Sequence, residues 1–211
     1  MAETELVLVG RSSSHFTRTA RLFAIELGVP HTFRPVLDLS ARDPAAYGGN
    51  PALKVPVLVD AEGPLFGLEN ICRALARRSG LGARVVLRGD VPARAVANAE
   101  EMILHAMASD VILVLAGHEQ PAPPKVRASL ENALGFLEAN VDRVLAALPE
   151  GRRLSFCEAA LYALVTHLPF RKVMEVSGYP RLQAFGVRFG VRPAAAATTY
   201  RFDAPPTLGG R

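Results

Sequence analysis

Lys54-Val55-Pro56-Val57-Leu58-Val59-Asp60 decides how this chain folds. The run from Val55 to Val59 is β-branched and apolar, as a buried strand is. It nevertheless opens on Val-Pro. Proline has no N–H to give a ladder and is kept out of interior strands. A proline at that point marks a special backbone, often a cis peptide in a tight turn.

Upstream of this stretch, strand and helix signals alternate. Leu6-Val7-Leu8-Val9 is a short apolar run closed by Gly10, a buried strand. Ser12-Ser13-Ser14 follows as a cluster of N-cap residues. The helix it opens runs to Leu27, with Phe16, Ala20, Phe23 and Leu27 on one face. Gly28 and Pro30 stop it. Thr32 to Leu37 is a second strand, Asp43-Pro44 opens a short irregular helix, and Gly48-Gly49-Asn50-Pro51 is turn material. Downstream, Ala61-Glu62-Gly63 is a hairpin loop, Pro64-Leu65-Phe66 a short fourth strand, and Leu68 to Arg78 a helix. This βαβ–ββα order resembles the thioredoxin-like fold, an α/β unit. That fold sets a cis-proline at the head of a strand, and the residue before it offers its backbone N–H and C=O to a peptide-like ligand.

From Ser79 to Pro92 the chain is rich in Gly and Arg and reads as a linker. Every strong pattern after it is helical. Ala93 to Ala116 has Val96, Ala99, Ile103, Ala106 and Met107 on one side. Pro121 to Pro124 breaks it, and Val126 to Leu148 forms a second long helix stopped by Pro149 and Gly151. Ser155 and Glu158 have the spacing of a capping box, the hydroxyl on the Glu158 N–H and the carboxylate reaching back to Ser155. The helix they open, to about His167, is nearly all apolar and therefore central. A last helix starts near Tyr179-Pro180 and ends by Pro193. The tail from Thr198, with Pro205-Pro206 and Gly209-Gly210, is expected to be extended or loose. The expected architecture is an α/β domain over 1–79, a linker over 80–92 and an all-helical domain over 93–211.

Composition narrows the function. The chain has 211 residues, half of them hydrophobic, and a net charge of +4 from scattered arginines. Its apolar runs are too short to span a bilayer and its first residues are acidic, so neither a membrane helix nor a signal peptide is expected. Cys72 and Cys157 each sit in a helical pattern and read as buried thiols, as in a reducing cytoplasm. No Cys/His cluster has metal-ligand spacing, so no metal is expected. Arg73, Arg77 and Arg78 form a solvated helix face without a nucleic-acid motif beside it.

Four segments together resemble the cytosolic glutathione transferases. Ser14-His15-Phe16-Thr17-Arg18-Thr19-Ala20-Arg21 is similar to the Ser-Pro-Phe-x-x-Arg-x-x-Arg that starts the first helix of serine-type members. Asn50-Pro51-Ala52-Leu53-Lys54-Val55-Pro56-Val57-Leu58 is similar to their Asn-Pro-x-x-Lys-Val-Pro-x-Leu. The Ser155–Glu158 box resembles the one that opens their central helix. Tyr179-Pro180-Arg181-Leu182 with Arg192-Pro193 resembles their closing helix.

The resemblance implies glutathione as co-substrate, a thioredoxin-like N-terminal domain, an all-helical C-terminal domain and a homodimer. Ser14 then faces the thiolate, with Ser13 and Ser12 as alternatives because three serines leave the register open. His15 stands where the family has proline. Val55, ahead of Pro56, pairs with the cysteinyl backbone, and Lys54 meets the glycine carboxylate. At the γ-glutamyl site the family has Glu-Ser or Gln-Ser. A gapless count puts Gly67 and Leu68 there, which offer no side-chain hydrogen bond. Glu69 and Asn70, two residues on, are the nearest polar pair.

The implied activity is addition of glutathione thiolate to a small hydrophobic electrophile, with Met102, Ile103, His105 and Met107 as candidates to line its pocket. The alternative is a non-catalytic interaction module of the same fold, which a missing γ-glutamyl site would suit.

Overall fold

A computed structural model describes residues 5–116 and 122–204. The strands β1 (Val7–Gly10), β2 (Thr32–Pro35), β3 (Val57–Asp60) and β4 (Gly63–Phe66) form one sheet in the order β2-β1-β3-β4. β1 pairs parallel to β2, and β3 runs antiparallel to both β1 and β4. A parallel pair needs a crossover, here the helix α1 (His15–Glu26). The helix α2 (Leu68–Arg78) follows β4 and packs against α1. The expected βαβ–ββα order is the observed one.

β3 starts at Val57, two residues later than the hydrophobic run suggests. Val9–Val57 is the last rung of its ladder with β1, and Val55–Pro56 lies outside the sheet with a cis peptide.

Beyond α2, Val85–Val86 is a two-residue strand, β5. The helices α3 (Arg94–Ala116) and α4 (Pro124–Ala147) come next. Leu154–Ser155, β6, pairs parallel with β5 and leads into α5 (Phe156–Phe170). The helices α6 (Pro180–Gly190) and α7 (Pro193–Ala197) close the described chain. α6 ends before Pro193 as expected, but it is not the last helix: Pro193 opens the short α7. Proline suits that position because its missing N–H would be unpaired there anyway. Pro121 and the expected loose tail beyond Ala204 lie outside the described residues.

α5 is apolar on all sides, and Leu161, Leu164 and Leu168 are buried in the core that joins it to α1 and α3. Its N-terminus differs from the expected box in one respect. Ser155 Oγ accepts from the Glu158 N–H at 3.1 Å, but the carboxylate takes the Ser155 hydroxyl, at 2.7 Å. Arg152 grips the same carboxylate bidentately at 2.8 and 2.9 Å. Burial pushes this carboxyl up, and the Arg152 and Ser155 hydrogen bonds outweigh that and hold it below its ordinary value.

Cys72 and Cys157 are buried free thiols. Burial pushes both above the ordinary thiol range, which leaves them inert. Arg73, Arg77 and Arg78 are exposed. Among the described residues no helix is long and apolar enough to cross a membrane.

Candidate active site

The loop between β1 and α1 is held from several sides. At Gly10 a Cβ would lie 2.3 Å from the Thr17 methyl, so only glycine lets the strand end pass so close to the first turn of α1. Thr17 Oγ1 accepts from the Arg11 N–H at 3.2 Å, and Asp203 accepts from the Ser12 N–H at 2.8 Å.

The three serines separate in this loop. The Ser12 hydroxyl is buried and has no hydrogen-bond partner among the described residues. Ser13 is buried, and its carbonyl accepts from His167 Nε2 at 2.9 Å. Ser14 is half-buried and is the N-cap of α1, accepting from the Thr17 N–H at 3.2 Å. That bond uses one oxygen lone pair and leaves the hydroxyl proton free to donate.

The second wall is the loop before β3. Asn50 is buried and braces it, donating from Nδ2 to the Lys54 carbonyl at 2.8 Å and accepting from the Ala52 N–H at 3.0 Å. Among the described residues the Val55 N–H and C=O have no hydrogen-bond partner. Lys54 is exposed, and Pro56 is buried.

The third wall is the start of α2. The helix begins at Leu68, with Gly67 as an N-cap that supplies no side-chain hydrogen bond. Gly67 has a φ of 87°, which favours glycine. Gly67 and Leu68, where the gapless count falls, stand at the entry of this helix. Glu69 is paired to Arg88 at 2.8 Å, and Asn70 Nδ2 donates to the Phe66 carbonyl at 3.0 Å.

These walls meet. A cavity of about 700 Å³ is bounded by Lys54, Val55, Pro56, Glu69, Asn70 and the α3 face around Leu104 and Val111. An adjoining cavity of about 560 Å³ contains Ser13 and Ser14 and shares Phe16, Lys54, Val55 and Val111 with the first. Ser14, Lys54, Val55, Pro56, Glu69 and Asn70 thus border two adjoining cavities.

The helical residues named for the pocket do not line it. Ile103 and Met107 are core, and neither Met102 nor His105 borders either cavity. His105 points away to Glu101, 3.3 Å distant, and is exposed. Helical geometry explains the miss: the face that meets the cavity is offset from the apolar stripe, and holds Leu104, Ala108, Val111, Ile112 and Leu115.

Sequence reasoning also missed a buried polar cluster beneath the serines. Asp110 on α3 is fully buried, with Oδ2 2.5 Å from His167 Nδ1 and 3.5 Å from His15 Nδ1. His167 Nε2 meets the Ser13 carbonyl and His15 Nε2 meets the Met107 carbonyl at 3.1 Å. A carbonyl only accepts, so both Nε2 atoms carry hydrogen. One proton therefore lies between His167 Nδ1 and Asp110, while His15 Nδ1 is a bare, unpartnered lone pair. Burial, then the nearby His167, drive the His15 pKa well below its ordinary value, so His15 is neutral and its approach to Asp110 is not an ion pair. The signal was a lone acid in the apolar part of α3 and a lone histidine in apolar α5.

Residues 13–78 match the model of the glutathione S-transferase N-terminal domain. No curated protein matches the chain in sequence. Solved structures do match in shape. A glutathione S-transferase from Methylobacterium radiotolerans, in complex with glutathione sulfonate, has a TM-score of 0.72 at 17% identity, over 96% of this chain and 98% of its own. A glutathione transferase family member from Pseudomonas fluorescens with bound glutathione reaches 0.77 at 20% identity, over 93% and 100%. One from Methylobacillus flagellatus, also with glutathione bound, reaches 0.68 at 19%, over 93% and 100%. At these identities the likeness is one of fold. Residues 13–78 belong to the glutathione S-transferase N-terminal domain family, and the chain carries the glutathione S-transferase fold.

Proposed function

We propose that this chain is a glutathione transferase that adds glutathione thiolate to a hydrophobic electrophile. The observation that carries the reading is the unpaired Val55 N–H and C=O, which border the same cavity as Ser14. A peptide-like ligand laid along Val55 pairs with both groups, as an added strand does. Its thiol then falls against Ser14. A free thiol has a pKa of about 8.5. The Ser14 proton and the positive end of α1 both favour the thiolate. Lys54 meets the glycine carboxylate, and Glu69 and Asn70 flank the γ-glutamyl end. The open apolar rim of Leu39, Leu115 and Phe202 receives the electrophile. The same reading implies a homodimer in the cytoplasm, checked by sedimentation.

The test is glutathione calorimetry with chlorodinitrobenzene turnover, on the wild type and on Ser14→Ala. Binding at micromolar to low-millimolar glutathione is expected. A hydrogen bond to a charged group is worth about 1.5–3 kcal/mol. The variant should therefore lose roughly one to two decades of kcat/KM while still binding. Turnover that ignores Ser14 moves the thiolate partner to Ser13 or His15.

A second reading is favoured by the start of α2, where Gly67 and Leu68 supply no side-chain donor. That is the pattern of a non-catalytic interaction module, and no binding at millimolar glutathione would establish it. A gain-of-function variant separates the two. Leu68→Ser places a hydroxyl at the helix entry and should tighten glutathione about tenfold, the lower end of a charge-assisted bond. Leu68 is buried, so the melting temperature should fall at the same time. Unchanged affinity in a folded variant would show that the γ-glutamyl end lies elsewhere.

A further inference from the structure

We propose that the electrophile carries a carboxylate, held between Arg11 and Arg171 in the cavity beside Ser14; this rests on the glutathione-transferase reading. The cavity is lined by three cations, Arg11, Lys54 and Arg171, and among the described residues by no aspartate or glutamate. Lys54 also borders the adjoining cavity and is engaged by the glycine end of glutathione in that reading. The two guanidinium groups remain. Arg11 comes from the β1–α1 loop and Arg171 from the C-cap of α5.

Neither has a carboxylate within 4 Å among the described residues, whereas Arg78, Arg88, Arg152, Arg153 and Arg192 all do. Arg11 makes one long bond, Nη1 to the Leu37 carbonyl at 3.5 Å. Arg171 sits over the Phe202 ring at 5.4 Å. Both arginines are half-buried. Desolvation, and the like charge of Arg11, pull Arg171 below its ordinary value, while Asp110 opposes this from beneath the histidines. Two half-buried cations facing a cavity with no acid among its described lining residues are an unfavourable arrangement. An anion between them relieves both the repulsion and the lost hydration.

The apolar part of the lining includes Val111, Val114, Leu115 and Phe202. A conjugated or aromatic body against these side chains, with a carboxylate toward the arginines, presents its electrophilic carbon to Ser14. For a chloronitrobenzoate the chemistry closes without a further reagent. The thiolate forms a C–S bond, the C–Cl pair leaves as chloride, and the carboxylate keeps its charge throughout. The arginines thus select the substrate and take no part in bond making.

The test is binding, which does not depend on turnover. Protein saturated with S-methylglutathione is titrated by calorimetry with 3,5-dinitrobenzoate and with the neutral 3,5-dinitrobenzamide. The benzoate should bind at least ten times more tightly. Arg11→Gln and Arg171→Gln should each cut that preference below threefold, with folding confirmed by circular dichroism. Arg188→Gln, on the exposed face of α6, should retain it. Equal affinity for the two compounds overturns the proposal. So does displacement of the benzoate by S-methylglutathione, which would assign the arginines to glutathione itself and leave the transferase reading standing. If S-methylglutathione does not bind, the transferase reading fails, and the same comparison without it decides the arginine pair alone.

Discussion

Replacing Asp110 by alanine should destabilise the folded chain by about 3–5 kcal/mol, the range seen when one partner of a buried charged pair is removed. Its carboxylate is fully buried, 2.5 Å from His167 Nδ1. Alanine would strand that nitrogen and leave a gap between two imidazoles already in edge contact, 4.3 Å between ring centroids. Urea unfolding at pH 7.5 measures the loss, and a change below 1 kcal/mol would show that the cluster carries little of the fold. Asp110→Asn is the milder control, since it keeps the volume and one hydrogen bond.

The same cluster predicts acid sensitivity. His15 has its pKa depressed by burial in the folded state, while in the unfolded chain it titrates near the ordinary imidazole value of about 6.5. The unfolded state therefore binds the extra proton first. Stability is fully present above that value and falls with pH below it, by up to about 1.4 kcal/mol per unit for one proton. His15→Asn should flatten this limb of the unfolding free energy between pH 7 and 5.

Arg18→Ala is the second large effect, expected to cost about 2–4 kcal/mol through lost hydrogen bonds and lost packing. Arg18 is 4% exposed, and no carboxylate lies within 4 Å of it among the described residues. Its guanidinium instead donates to Thr166 Oγ1 at 2.8 Å, and to Tyr162 OH and the Ala195 carbonyl at 3.2 Å each. The rings of Tyr162 and Tyr200 lie 4.7 and 4.3 Å from it. A buried cation without an anion is costly, so removing the charge alone is not the damaging step. The damage is the loss of a planar fork that fills the space between two rings. Arg18→Met keeps much of the volume and should be milder than alanine. Arg18→Lys keeps the charge with fewer matched donors and should be worse than methionine. Thermal unfolding of the three variants decides, and a lysine more stable than the methionine would refute the fork argument.

Much of the fold was legible because local signals agreed with one another. The span of α2 from about Leu68 to Arg78 was legible in the sequence, as was the hairpin around Ala61-Glu62-Gly63, a turn set between two strand runs. The Ser155–Glu158 spacing located the start of α5. β5 and β6 were not legible, since a two-residue strand has no period to detect and its partner lies 69 residues away in sequence. The site divided in the same way. Ser14, Lys54, Val55 and Pro56 sit in motifs that single them out, and they border the two cavities. Asp110 and His167 were not legible, because their contacts span 57 and 154 residues and no spacing announces them. Arg11 and Arg171 were hidden for the same reason: each is an ordinary charged residue until the fold puts it at a cavity with no acid among its described lining residues.

Two bonds from the helical half limit how separable this molecule is. His167 Nε2 donates to the Ser13 carbonyl, and Asp203 holds the Ser12 N–H. The loop that carries Ser14 is thus clamped by side chains more than 150 residues downstream. A fragment ending at Ser79 would retain every residue proposed to touch glutathione and lose both clamps. Recombining this first unit with the helices of another member would transplant the reactive groups without their setting. The heritable module here is larger than its motif, and the two halves are constrained to change together.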